Sequence, residues 1–314
     1  MTARTKRRSA AIFLCIFFAI SVQAQDKRAK PPEFSEADTK GVFFESVEKA
    51  IRGTRPSLAE LQSKRPGVQT AVAKTATKTD GPAGGGIWDK LVSATSLEDE
   101  IKRVKLHYDS AVTQPGPFKS GGYQDARLDL MVLSSLFAVI TEYGGEVRWK
   151  KDAAAARDLL GRTAFNCNEG TTQVFNEARA RKDDLQDLMS GSGLRGRKAE
   201  DSNDWAVIAD RSPMMEYLEE LRESLREATA AEAGVKSDPD SVRRSAELIA
   251  VLGKVLTQEG MDDWDDEDYA AYSDQMTKAA MGVTRGLEVN DYDAIRKAVG
   301  AVTQSCDACH GDFR

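Results

Sequence analysis

The chain has 314 residues, 41% hydrophobic and 30% charged, a balance typical of folded protein and too apolar for a wholly disordered chain. Its formal charge of −6 excludes a generic nucleic-acid binder, which needs a basic footprint. Two histidines argue against a histidine-rich metal enzyme, and four cysteines are too few for a disulfide framework in so long a chain.

The first segment reads as an address. Arg4, Lys6, Arg7 and Arg8 precede the apolar run Ala10 to Ile20, and Val22-Gln23-Ala24 ends it with small residues at the cut. This pattern predicts a secretory signal peptide over 1–24, cleaved after Ala24, with Cys15 leaving in it. Removing it takes four basic residues and no acidic ones, so the exported chain carries a net charge of −10. No later stretch is apolar enough to span a bilayer, and the expected location is periplasmic or secreted.

Residues 25–86 are expected to hold one modest helix, Glu36 to Ile51, followed by a flexible linker from Ser63 to Gly86 rich in Lys, Thr, Ala, Pro and Gly. Beyond it the sequence repeats. Trp88 matches Trp205, Ile101 matches Leu218 and Val104 matches Leu221, all 117 apart, while Leu136 and Leu252, Val139 and Val255, and Gly144 and Gly260 are 116 apart. Such collinear drift is the mark of a duplication with small loop gaps. The predicted fold class is all-α: two tandem four-helix bundles over 87–190 and 205–314, joined by a linker over 191–204.

In the first unit, Thr95-x-x-Glu98 reads as a capping box. In the second, Ser212 reads as an N-cap with Pro213 at the first helical position. That helix carries Met214, Leu218, Leu221 and Leu225 as a narrow apolar stripe. Helix two is expected from about Val242 to Gln258 with a stop at Gly260, and helix three from about Asp266 to Gly286. Helix four is expected after a cap at Asn290, carrying Ile295, Val299, Val302, Cys306 and Cys309.

The chemistry lies in Cys306-Asp307-Ala308-Cys309-His310. On a helix, positions i, i+3 and i+4 share one face, so both sulfurs and the imidazole point the same way. Cys-x-x-Cys-His is the attachment signature of c-type haem: two thiols add to the vinyl groups and His310 reaches the iron. Three other readings exist. A thioredoxin-like dithiol would open a helix after a strand, a zinc site would need a fourth ligand, and a plain disulfide would leave His310 without a role.

With Phe313 and Arg314 following, the segment from Ser212 to Arg314 resembles the cytochrome c prime and cytochrome c556 family, and the second bundle is then of cytochrome c prime type. The resemblance implies one covalent haem c per chain, bound to Cys306 and Cys309, with His310 as proximal iron ligand. It also implies a methionine near the start of helix one as distal ligand in the c556 branch, or an open face that takes small gases in the c-prime branch. Met214, on the apolar stripe, is the candidate distal ligand. The first unit has neither Cys nor His over 168–204, and Leu97 stands where the second has Met214, so it reads as a haem-free scaffold or docking domain.

Other features carry less. Cys167 reads as a buried thiol and His107 as a packing or surface residue. Gly191-x-Gly193-x-x-Gly196 matches a dinucleotide fingerprint in letters only and is expected in the linker. The acids from Asp262 to Asp268 are expected to favour the start of helix three. Arg314 is a candidate partner for a haem propionate. The expected function is one-electron transfer by an exported monohaem cytochrome that is not an enzyme. The expected partner is a redox protein with a basic docking patch; a homodimer is left open. The alternatives are a gas-binding five-coordinate haem and an interaction module with structural haem.

Overall fold

The structure, a computed structural model, describes residues 86–194 and 196–313. The signal peptide, the helix expected over Glu36 to Ile51, most of the Ser63 to Gly86 linker, and Arg314 lie outside the described residues. Every regular element among them is helical. The first repeat supplies α1 (Ala94–Ala111), α2 (Tyr123–Glu142), α3 (Ala153–Asn166) and α4 (Thr172–Ser190). The second supplies α5 (Arg211–Ala228), α6 (Pro239–Val255), α7 (Glu267–Glu288) and α8 (Tyr292–Asp312). A short helical turn precedes each set, Trp88–Lys90 in one and Trp205–Ile208 in the other.

The helix starts are set by side chains that catch free backbone N–H groups, and several differ from expectation. Ser93, not Thr95, caps α1 by accepting from Ser96 N, and Asp210, not Ser212, caps α5 by accepting from Ser212 N. Both caps lie two residues ahead of the expected ones, and they are themselves repeat equivalents. Asp238, followed by Pro239, opens α6 earlier than expected, and Asp266 opens α7 through Asp268 N and Tyr269 N. Asn290 does not cap α8. It takes a left-handed conformation (φ 53°) just past the end of α7, and Asp291 is the cap.

The eight long helices do not form two free-standing bundles. The described residues fall in one compact unit with one continuous core. The reason lies in the second helix of each repeat. From Asp129 to Ile140 every residue of α2 is buried, as is every residue of α6 from Ser245 to Gly253. A helix apolar on all sides needs cover on all sides. That cover comes crosswise: α1 packs on α6, and α5 packs on α2. The caps take part in it. Ser93 donates from both N and Oγ to Glu247 of α6 (3.0 and 2.9 Å), while Arg127 of α2 pairs with Asp210 at the head of α5. Near the crossing, equivalent residues touch one another. The Trp88 and Trp205 rings lie 6.2 Å apart, and the Tyr217 hydroxyl donates to Glu100. The repeats are therefore related by an approximate two-fold.

The segment between the repeats is pinned rather than loose. Leu194 is buried and its N–H is held by Asp152 (2.8 Å). The buried guanidinium of Arg157 donates to Glu200 O and Asn203 Oδ1. Gly191, Gly193 and Gly196 all have positive φ (86°, 70° and 73°), so backbone shape accounts for the glycine spacing that mimics a nucleotide fingerprint.

Candidate functional site

Helix α8 buries Ile295, Val299, Val302 and Ser305 against its neighbours and then brings Cys306, Cys309 and His310 to the wall of a cavity. The last turn is held by aromatic packing. The Phe313 ring sits edge-on to Tyr269 (5.2 Å) and Tyr272 (6.4 Å) of α7, and the Tyr272 hydroxyl donates to Asp312 (2.7 Å).

The cavity is small and opens to solvent on one side. Leu218 and Met215 of α5, Leu256 just after α6, and Tyr272 and Met276 of α7 form its walls, with Glu219 and Arg222 on the α5 side. The Cys306 thiol lies 3.9 Å from the Met276 sulfur. Cys306 and Cys309 are half-buried free thiols, and His310 is exposed at the rim beside them.

Burial pushes both thiols above their usual range, against the pull of Arg222 on Cys306 and of Arg211 on Cys309. Their place in the last turns of a helix, where the carbonyl end of the dipole lies, also disfavours a thiolate. A reactive redox dithiol needs the opposite, a lowered pKa at a helix start. The donor set fits haem: two thiols and an imidazole on one helical face, opposite apolar walls and two methionine sulfurs.

Residues 261–314 match the family model Cytochrome C'. This C-terminal region is cytochrome c prime-like, and the match supports a haem-binding cytochrome. It spans α7, α8 and Cys-x-x-Cys-His, and does not extend to α5 or to the first repeat. No curated protein and no solved structure matches the chain.

Of the two adjacent methionines at the start of α5, the one expected at the site and its neighbour lie in different surroundings. Met214 is buried in the shared core at 2% exposure and does not line the cavity; Met215 does. The stripe of Met214, Leu218, Leu221 and Leu225 joins the shared core, and of its residues only Leu218 also lines the cavity. The cavity face is Met215, Leu218, Glu219 and Arg222, about a quarter-turn round. That face reads as half polar in sequence, so apolar periodicity alone points to Met214 rather than to the methionine that lines the cavity. Met276, Tyr272 and Arg222 also line the site without any motif in the sequence to mark them.

Elsewhere, Cys167 is fully buried at the end of α3, and burial pushes its thiol up to about 12. His107 is mostly exposed and its Nδ1 lies 2.8 Å from the buried carboxyl of Asp129. Asp262 and Asp263 pair with Arg211, in addition to the capping by Asp266. Among the described residues, no helix is long and apolar enough to cross a membrane.

Proposed function

We propose that the second repeat holds one haem c through thioether bonds to Cys306 and Cys309, with His310 as the proximal iron ligand. The protein is then an exported monohaem cytochrome that carries single electrons and is not an enzyme. The observation that carries this reading is the convergence of Cys306, Cys309, His310 and Met215 on one cavity. Haem supplies a one-electron iron couple whose potential the axial ligand and the burial tune. Cys306, Cys309 and His310 would hold the haem from one helical face, and Leu218, Leu256 and Met276 would supply apolar contact to it. Met215 replaces Met214 as the distal candidate, because of these two neighbours it is Met215 that lines the cavity, on the side of α5. The net charge of −10 after removal of residues 1–24 suits a redox partner with a basic docking patch.

Two measurements test this. Protein collected from the cell envelope should be red, and its mass should exceed that of the chain by one haem; a colourless chain of bare mass refutes the reading. Met215→Ala should remove the weak ferric band of sulfur ligation and leave a high-spin spectrum. Met214→Ala should keep the wild-type spectrum while destabilising the fold by about 2–5 kcal/mol, the usual cost of emptying a core methionine site. A wild-type protein already high-spin, with a spectrum that shifts under carbon monoxide, would favour the gas-binding alternative.

A further inference from the structure

The first repeat has no ligand set of its own, yet it places a buried acid against the helix that carries Met215. Glu100 of α1 is 1% exposed. Its carboxylate accepts from the Tyr217 hydroxyl of α5, from Arg103 of its own helix (2.6 Å), and from Arg244 of α6 (3.3 Å). Arg103 also donates to the Tyr217 oxygen (3.2 Å) and lies over its ring at 5.9 Å. Tyr217 is 3% exposed, so neither it nor Glu100 has water as a substitute partner.

Tyr217 lies two residues beyond Met215 and one before Leu218, both on the cavity wall. On a helix those neighbours are displaced by about 200° and 100° respectively, so Tyr217 points out of the cavity while Met215 points in. Rotating α5 by a single residue position would exchange Met215 for Met214 or Glu216. The same rotation would pull the Tyr217 hydroxyl off Glu100 and leave a buried carboxylate short of a donor, which is strongly unfavourable. The apolar stripe of α5 does not by itself set the rotation to within one residue, because leucines tolerate sliding in a way that a buried hydrogen bond to a charge does not.

We propose that Glu100 of the first repeat and Tyr217 of α5 are positioning residues for the haem site, fixing the rotation and height of α5 and so holding Met215 toward the iron. This rests on Met215 ligation as proposed above. The first repeat then acts as a permanent, chain-linked partner that sets the geometry of the distal face.

The test uses the full chain with its haem attached. Tyr217→Phe removes one oxygen and leaves the ring and the Glu100–arginine pairs in place. It should lower the ratio of six- to five-coordinate ferric haem on the order of tenfold, the equilibrium worth of one hydrogen bond to a charged group. It should also speed amide exchange along Arg211–Ala228. Glu100→Gln keeps the shape and one acceptor oxygen, so its spectrum should fall between wild type and Tyr217→Phe. Ser93→Ala, which cuts a different cross-repeat bond, should lower the melting temperature and leave the spectrum as in wild type. If Met215→Ala changes the spectrum but Tyr217→Phe and Glu100→Gln only lower stability as Ser93→Ala does, the positioning role is refuted and the ligand reading stands. If Met215→Ala leaves the spectrum unchanged, the ligand reading falls and this inference falls with it.

Discussion

Asp129 shows what a single burial does to a charge in this molecule. It sits on α2, almost fully covered, and burial raises its carboxyl to about 7 even though His107 pulls in the opposite direction. In the unfolded chain the same group titrates near 3.9, so between roughly pH 4 and 7 the folded state holds a proton that the unfolded state has lost. Stability from this site is complete below about pH 4 and is lost as pH rises toward 7. Denaturant midpoints for wild type and Asp129→Asn should therefore diverge across that window, the wild type falling and the variant staying flatter; parallel curves would show that Asp129 titrates normally. Cys306, Cys309 and His310 were legible in the sequence because their relation depends only on helix period. The place of Met215 on the cavity wall was not, because it depends on what each face of α5 meets, and the face with Glu219 and Arg222 looks like a solvent face until the cavity is seen.

Among the helices, the caps separate local from crosswise stabilisation. Asp291 caps α8 by accepting from Ala294 N (2.9 Å) and makes no cross-repeat ion pair among the described residues. Asp210 caps α5 and also pairs with Arg127 of α2, whose Nε is buried without another partner. Asp291→Ala should cost about 1 kcal/mol, the usual worth of a cap. Asp210→Ala should cost clearly more, because it also strands a partly buried guanidinium. Equal losses in chemical denaturation would mean the Arg127 pair contributes nothing. Apolar periodicity showed where these helices lie, but Ser and Asp are common near helix starts, and the sequence could not tell Ser93 from Thr95 or Asp210 from Ser212. Those that cap also reach, or lie beside, the other repeat, a long-range fact that no local window contains. Asn290 shows the same limit: an Asn between two helices serves equally as a left-handed end or as a cap, and the backbone chose the first.

At the scale of the whole molecule, the duplication was readable at 117- and 116-residue offsets, but the way the copies share a core was not. The long, mostly apolar runs in α2 and α6 were the available signal, since a helix at the edge of a free bundle keeps a wet face. With α1 on α6 and α5 on α2, neither repeat can open without exposing the central helix of the other. The Trp88–Trp205 contact and the buried Glu100–Tyr217 bond would break in the same event. The described residues should therefore unfold as one cooperative transition. Scanning calorimetry should give one endotherm whose calorimetric and van't Hoff enthalpies agree. Far-ultraviolet circular dichroism and Soret absorbance should then lose signal at the same temperature. Two separated endotherms, with the Soret signal following only one of them, would show independent domains and would remove the cross-repeat restraint proposed for Met215.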